Sequence, residues 1–348
     1  MKRWKQIYND TAQLETFVIR EKVTDAIRSF FKSQKFLEVD TPLLVQSPGT
    51  EPYLEVFESE LLTPGHKNKK AYLLTSPELS MKKLLAAGSG SIFTICKSFR
   101  NSEGLSAFHN PEFSILEWYR VDADYTHIMQ DCEDLLLFIL QAINPDKTDE
   151  TLLYQGKTYD LSKPWERISV SEAFAKYAQI STQDMLSESR IIAIAAQKGY
   201  QVGSTTTWEE AYNQILLNEI EPHLGKTKPT ILYDYPSSQA ALSKKKDTDP
   251  RFAERFEFFI GGIELGNAFS ELTDATEQES RMKEDLIVRK NLGKVEYSLD
   301  EDFIDALRLG MPRTGGIAVG VDRLVMLFSN SASIKDTLLF PVEDIFDY

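Results

Sequence analysis

The stretch FRNSEGLSAFHNPEFSILEWYR, residues 99–120, sets two arginines around three glutamates (Glu103, Glu112 and Glu117) in what otherwise reads as two apolar strands. Further along, RFEFFIGGIELGNAFSELTDA (255–275) supplies Glu257, Glu264 and Glu271, and TGGIAVGVDRLVMLFS (314–329) supplies Arg323. Arg100, Glu117, Glu257, Glu264 and Arg323 fall where strand alternation or a strand-to-helix junction puts them on sheet faces. Left unpaired on a mostly apolar sheet, they would cost several kcal/mol. A buried ion-pair network avoids that cost, and so does a ligand that is itself highly charged. Paired carboxylates suit Mg²⁺, which takes one or two of them together with substrate phosphates. Arginine forks match phosphate oxygens. ATP with magnesium meets both demands.

Positioning these groups requires a sheet with helices against it. Residues 15–35 carry Ile19, Val23, Ile27, Phe30 and Phe31 at helical spacing. FLEVDTPLLV (36–45) follows as a strand signal stopped by Pro42, which suits an edge or an interface. TSPELSMKKLLAAG (75–88) predicts a helix with Ser76 as N-cap, Pro77 in its first turn and Gly88 as the stop. SIFTICKSFR (91–100) and 112–120 predict an antiparallel hairpin with a long polar tip, broken by Gly104 and Asn110-Pro111. Alternation in the second strand puts Phe113, Ile115, Glu117 and Tyr119 on one face, which leaves Glu117 either solvent-facing or in a site.

Gly261-Gly262 predicts a two-residue hairpin turn that pairs Phe259 with Glu264 and brings Glu257 to the same face. Glu271 has the opposite parity, so it joins them only if a bulge or bend at Gly266 to Ala268 resets the alternation. The glycine-rich segment before Asp322 reads as a strand entering a helix, with Arg323 in its first turn. A cation there is electrostatically unfavourable, which argues for placement toward a ligand. Helical patterning from about 165 to 225, without recognisable chemistry, reads as an inserted helical subdomain.

Bulk properties narrow the class. The chain has 348 residues, 42% hydrophobic and 26% charged, which is ordinary for a water-soluble globular protein. No apolar run has the length of a membrane span, and MKRWKQIYNDTAQ lacks the apolar core of a secretory signal. Cys96 and Cys132 lie in apolar stretches and read as reduced thiols, which points to the cytoplasm. The four histidines have no zinc-ligand spacing. A net charge of −14 disfavours general binding to phosphate backbones.

FLEVDTP, FRN-SEG with HNPEFSILEWYR, and GIAVGVDR resemble, in order, the three signature motifs of class II aminoacyl-tRNA synthetases. GIELGNAFSELTD together with HNPEF is similar to the lysyl branch. The resemblance implies an α+β fold, an antiparallel β-sheet flanked by helices, formed by residues 1–348 as one catalytic domain with the insertion at about 165–225. It also implies a homodimer built around Pro42. Ordinary lysyl-tRNA synthetases carry an N-terminal anticodon-binding barrel, for which this sequence leaves no room. TKPTILYDYPSSQAAL (227–242), Phe108 in place of an arginine and Ala318 in place of a glycine resemble the elongation factor P lysine ligases, truncated paralogues that lysylate a lysine of that factor.

What this resemblance implies for the site can be stated residue by residue. Arg100 would meet the α-phosphate and Arg323 the γ-phosphate, as the catalytic pair. Asn101, Glu103, Asn110, Leu265 and Gly320 would contact the nucleotide, with Glu103 at the adenine amino group. Glu257 and Glu264 would hold Mg²⁺, and Glu264 also belongs to the ATP site. Ser76, Pro77 and Glu78 would border the amino acid, with Glu78 on its backbone amine, while Glu117, Tyr119 and Glu271 would take the side-chain amine. The family pattern is Phe-Arg-x-Glu, whereas here Ser102 separates Asn101 from Glu103, an apparent one-residue insertion. Both α-lysine and β-lysine remain open as substrates. An enzyme acylating tRNA or another carrier would share these motifs, as would a paralogue that only binds. The retained charges argue against the second, and the acidic composition favours a protein acceptor over tRNA.

Overall fold

The computed structural model describes residues 2–102, 104 and 106–346. Its centre is an eight-stranded sheet. We number its strands β1 (Leu37–Glu38), β2 (Ile92–Phe99), β3 (Glu112–Val121), β4 (Glu166–Ser169), β5 (Thr230–Pro236), β6 (Phe252–Ile260), β7 (Ile263–Ser270) and β8 (Thr314–Gly320). Across the sheet the order is β1-β2-β3-β8-β7-β6-β5-β4. The middle six strands pair antiparallel, while β1 and β4 add parallel strands at the two edges. The expected antiparallel sheet is therefore present with a parallel strand on each side.

One face is closed by the amphipathic helices α1 (Glu15–Ser33), α3 (Tyr125–Ile143) and α6 (Val321–Phe328). Val23, Ile27 and Phe31 of α1 pack with Phe93, Leu116, Trp118, Ile317 and Val319 from the strands. At one end of the opposite face, α2 (Glu78–Ala86), α4 (Ala275–Asn291) and α5 (Glu301–Gly310) form a smaller core with Ile92 and Tyr119. The period-two alternation of β3 is thus read by two environments: Leu116 and Trp118 point to the large core, Glu117 and Tyr119 to the other face.

The segment expected to be helical from about 165 begins instead with β4, whose residues pair with Thr230 to Tyr233. Helical turns follow between 170 and 223, with a core of their own (Phe174, Tyr212 and Ile215) against Leu232 and Phe259 of the sheet. Among the described residues, no helix is long and apolar enough to cross a membrane. Cys96 and Cys132 are unpaired thiols, and burial pushes both up, Cys96 to about 12.

The first turn of α6 is anchored by Asp322, which is 1% exposed. It accepts a hydrogen bond from the Ser114 backbone N–H at 2.7 Å and pairs with Arg20 of α1. This one carboxylate fastens α1, β3 and α6 together and thereby fixes the start of the helix that carries Arg323. Asp322→Asn removes the charge and strands Arg20, so it should cost about 3 kcal/mol of unfolding free energy. A urea titration checks this, and a loss below about 1 kcal/mol, the value of an exposed pair, would contradict the anchoring role.

Candidate active site

On the face of the sheet opposite α1 and α3 lies a cavity of about 610 Å³. Its floor comes from alternate residues of the central strands. β8 contributes Gly316, Ala318 and Gly320, lying opposite Tyr119, Glu117 and Ile115 of β3. Small side chains in the middle strand leave room above the sheet. A Cβ on Gly316 would stand 2.4 Å from both Glu271 Oε1 and a Tyr119 ring carbon, so nothing larger than glycine fits there.

The β6–β7 hairpin turns at Gly261-Gly262, both with positive φ, and pairs Phe259 with Glu264 as its sequence predicts. Phe258 then pairs with Gly266, leaving Leu265 as the extra residue of a β-bulge. The reset occurs just before the expected stretch and has the expected consequence. Past the bulge, Glu257 pairs with Asn267, so Glu264, Asn267, Phe269 and Glu271 all reach the cavity wall.

One end of the cavity is acidic. Glu117 is 1% exposed, which excludes the solvent-facing alternative. Its carboxylate accepts hydrogen bonds from Ser76 Oγ at 2.5 Å and Tyr119 Oη at 3.2 Å. Ser76 Oγ also accepts the Glu78 backbone N–H at 3.1 Å, so it ties the start of α2 to β3. Pro77 occupies the cap position of α2 and lies off the cavity wall, contrary to the expectation for the substrate site. Beneath the wall, the Lys82 ammonium lies 2.6 Å from Glu78 and 2.5 Å from Glu271. Burial, and then the neighbouring Glu78, push Glu117 up to about 8. Burial likewise raises Glu271 to about 7, with Lys82 opposing and Glu78 adding to the rise.

The same wall also carries Arg100 and Arg323. Arg100 follows β2 and lies over the Phe113 ring at 5.2 Å. Arg323 donates from Nη1 to the Glu264 carbonyl at 2.7 Å and stands 3.6 Å from its carboxylate. Its Nη2 lies 3.1 Å from His109 Nε2. Phe108, Asn110, Leu265 and Gly320 share this part of the wall. Asn110 is used structurally as well: its Nδ2 donates to the Glu112 carbonyl and its Oδ1 accepts from the Val342 N–H.

Two further expected contacts, Asn101 and Glu257, are placed otherwise. Asn101 lies off the cavity wall, its Oδ1 accepting the Ser102 N–H at 3.0 Å in a turn where Ser102 has φ +59°. Glu103 lies outside the described residues. Glu257 shares the sheet face with Glu264 but does not line the cavity, because Arg255 (2.6 Å) and Tyr235 Oη (2.7 Å) hold its carboxylate. Burial raises Glu257, and the Glu264 charge adds to the rise. Among the described residues, no three His, Cys, Asp or Glu side chains are grouped to hold a metal by themselves.

The family profile described as tRNA synthetases class II (D, K and N) matches residues 1–344. The chain belongs to that family. A Salmonella arizonae protein is 38% identical over 341 residues, spanning 97% of this chain and 98% of its own. One from Avibacterium paragallinarum is 38% identical over 345 residues, spanning 98% of each. One from Salmonella gallinarum is 37% identical over 338 residues, spanning 97% of this chain and 98% of its own. Each is named an elongation factor P–(R)-β-lysine ligase. The α+β architecture expected from the motif resemblance is that of this class II synthetase domain.

Sequence reasoning passed over Lys82, Gly316, Arg255 and Asn267. Lys82 stands four residues after Glu78 on one helix, the spacing of an ion pair. Gly316, Ala318 and Gly320 form an alternating small-residue column, and Arg255 has the parity of Glu257, to which it is bound.

Glu117 and Glu271 take up protons in the fold that the unfolded chain releases near 4.5. Raised carboxyl values mean that the folded state binds more protons, so their contribution to stability falls as pH rises from about 4.5 to about 8. The ligand-free protein should therefore lose stability between pH 6 and 8.5, and Glu117→Gln should flatten that slope. Urea midpoints across this range check it. An unchanged slope in the variant would contradict the buried-acid assignment.

Proposed function

We propose that the protein uses ATP and Mg²⁺ to activate lysine, as (R)-β-lysine or its α isomer, as an acyl adenylate. We further propose that it transfers the acyl group to the ε-amino group of a lysine on elongation factor P. The observation that carries this reading is one cavity whose wall holds Arg100 and Arg323 together with the glutamates Glu78, Glu117 and Glu271. A nucleoside triphosphate and a diamino acid are the two ligands such a cavity suits. The full-length relatives named as elongation factor P–(R)-β-lysine ligases support the acceptor and the β isomer.

In this reading Glu78 receives the amine nearest the carboxylate, and Glu117, Tyr119 and Glu271 receive the distal ammonium. Desolvated ammonium groups need such counter-charges. The substrate carboxylate is then held toward the α-phosphate, where Arg100 offsets the negative charge that accumulates as the new P–O bond forms and the bond to pyrophosphate breaks. Arg323 binds the γ-phosphate and steers pyrophosphate away. Asn110, Leu265 and Gly320 shape the nucleotide pocket, and Arg255 and Asn267 border the phosphates from β6 and β7. In the second step the deprotonated acceptor amine attacks the acyl carbon and AMP departs.

Glu264, on the cavity wall, would hold Mg²⁺ together with substrate phosphates. Glu257 shares its sheet face and feels its charge, but would join as a ligand only by giving up Arg255 and Tyr235. The ion, when bound with ATP, supplies charge neutralisation on the phosphates.

We also read the molecule as a cytoplasmic homodimer. Leu37, Leu43 and Leu44, beside Pro42, are 56%, 39% and 43% exposed, an apolar group suited to a partner copy. Unpaired cysteines fit a reducing compartment.

The test is amino-acid-dependent ATP–pyrophosphate exchange with both lysine isomers, followed by intact-mass measurement of elongation factor P. Exchange with a lysyl mass increment on the factor is expected. Label on tRNA with no increment on the protein would overturn the acceptor. Glu264→Gln should lower exchange by about 100-fold or more while the circular dichroism spectrum is retained, and unimpaired exchange would remove its metal role.

A further inference from the structure

We infer that Lys82 is a positioning residue for the amino-acid substrate, fixing Glu78 and Glu271 and setting the charge of the acidic floor to match a dication. This rests on the cavity's being a lysine-activating site. Lys82 is 1% exposed and contributes nothing to the cavity wall. Its ammonium bridges a carboxylate of α2 to one just after β7, two elements that approach each other at this site.

The geometry leaves one side of Glu271 for a ligand. Oε2 is ion-paired with Lys82, neither oxygen has a well-aligned hydrogen bond among the described residues, and Oε1 adjoins the space kept open by Gly316. Around the Glu78–Glu271 pair stand Lys82 from α2, Glu117 and Tyr119 from β3, and Glu51, whose charge acts on Glu78 and is offset by Arg100 and Arg289. Once a bound dication holds Glu78, Glu117 and Glu271 ionised, these three carboxylates and the Lys82 ammonium carry a net charge of −2. That is the charge two substrate ammonium groups neutralise. Without Lys82, Glu78 and Glu271 would repel each other across a desolvated gap, and a proton would be held there to higher pH than with it. The floor would then offer one acceptor fewer, in a less defined position.

Steady-state exchange kinetics of Lys82→Met and Lys82→Arg test this. In Lys82→Met the amino-acid KM should rise about tenfold or more while the ATP KM stays within about threefold, and Lys82→Arg should restore most of the loss. The amino-acid KM of Lys82→Met should also fall more steeply with rising pH between about 6 and 8 than that of the wild type, because its carboxylates ionise later. An unchanged or lowered amino-acid KM, or a matching rise in both KM values, would overturn the inference.

If Lys82→Met does not fold, Lys82→Gln/Glu271→Gln removes opposite charges together. Against Glu271→Gln and Lys82→Gln alone, it should raise the amino-acid KM by clearly less than the product of the two single effects, since Lys82 acts partly through Glu271. Fully multiplicative losses would overturn the inference. A wild-type protein without lysine-dependent exchange would instead refute the proposed function.

Discussion

Carboxylates lose hydration when buried, and Glu117 and Glu271 are 1% and 3% exposed with Glu78 beside them. Each buried charge costs several kcal/mol unless it is compensated. The chain compensates partly, with Ser76 and Tyr119 donating to Glu117 and Lys82 lying between Glu78 and Glu271. Burial still raises Glu117 and Glu271, so the compensation is incomplete. In the proposed reading a doubly protonated ligand completes it, and affinity for that ligand is stored in the ligand-free fold as unrelieved electrostatic cost.

The sheet is shaped to hold that cost at one place. β8 runs through the middle with Gly316, Ala318 and Gly320 upward, giving space above the floor. The Leu265 bulge turns Glu264 and Glu271 to the same side although their spacing would separate them in a regular strand. Asp322 then fixes the strand-to-helix junction, so that Arg323 is aimed across the sheet at the Glu264 carbonyl. The strand layer thus presents arginines and glutamates to one cavity, as joining a nucleotide to an amino acid requires.

Much of this was legible in the chain. The hairpins at 92–121 and 252–270 follow from alternation and from Gly261-Gly262, because period-two burial and positive-φ turns are local properties. The charged residues were found for the same reason: a glutamate within an apolar strand violates the pattern. What local pattern could not give was the partner of each charge. Spacing alone joins Lys82 only to Glu78 on α2, and its burial depends on Glu271, far away in sequence. Glu257 looked like a free metal ligand, and its engagement with Arg255 and Tyr235 depends on β5 and β6 packing together. β4 was hidden inside a helical stretch because four residues at a sheet edge carry too little periodicity to register.

The central claim is that a single cavity holds a nucleotide at its arginine end and a dication on its glutamate floor. Affinity for two non-hydrolysable adenylate mimics measures this most directly: a lysyl sulfamoyl adenosine and its norleucyl counterpart, which lacks the terminal ammonium. The account predicts that removing the ammonium weakens binding by about 100-fold, the loss expected when buried carboxylates go unpaired. Equal affinity for the two compounds would contradict it.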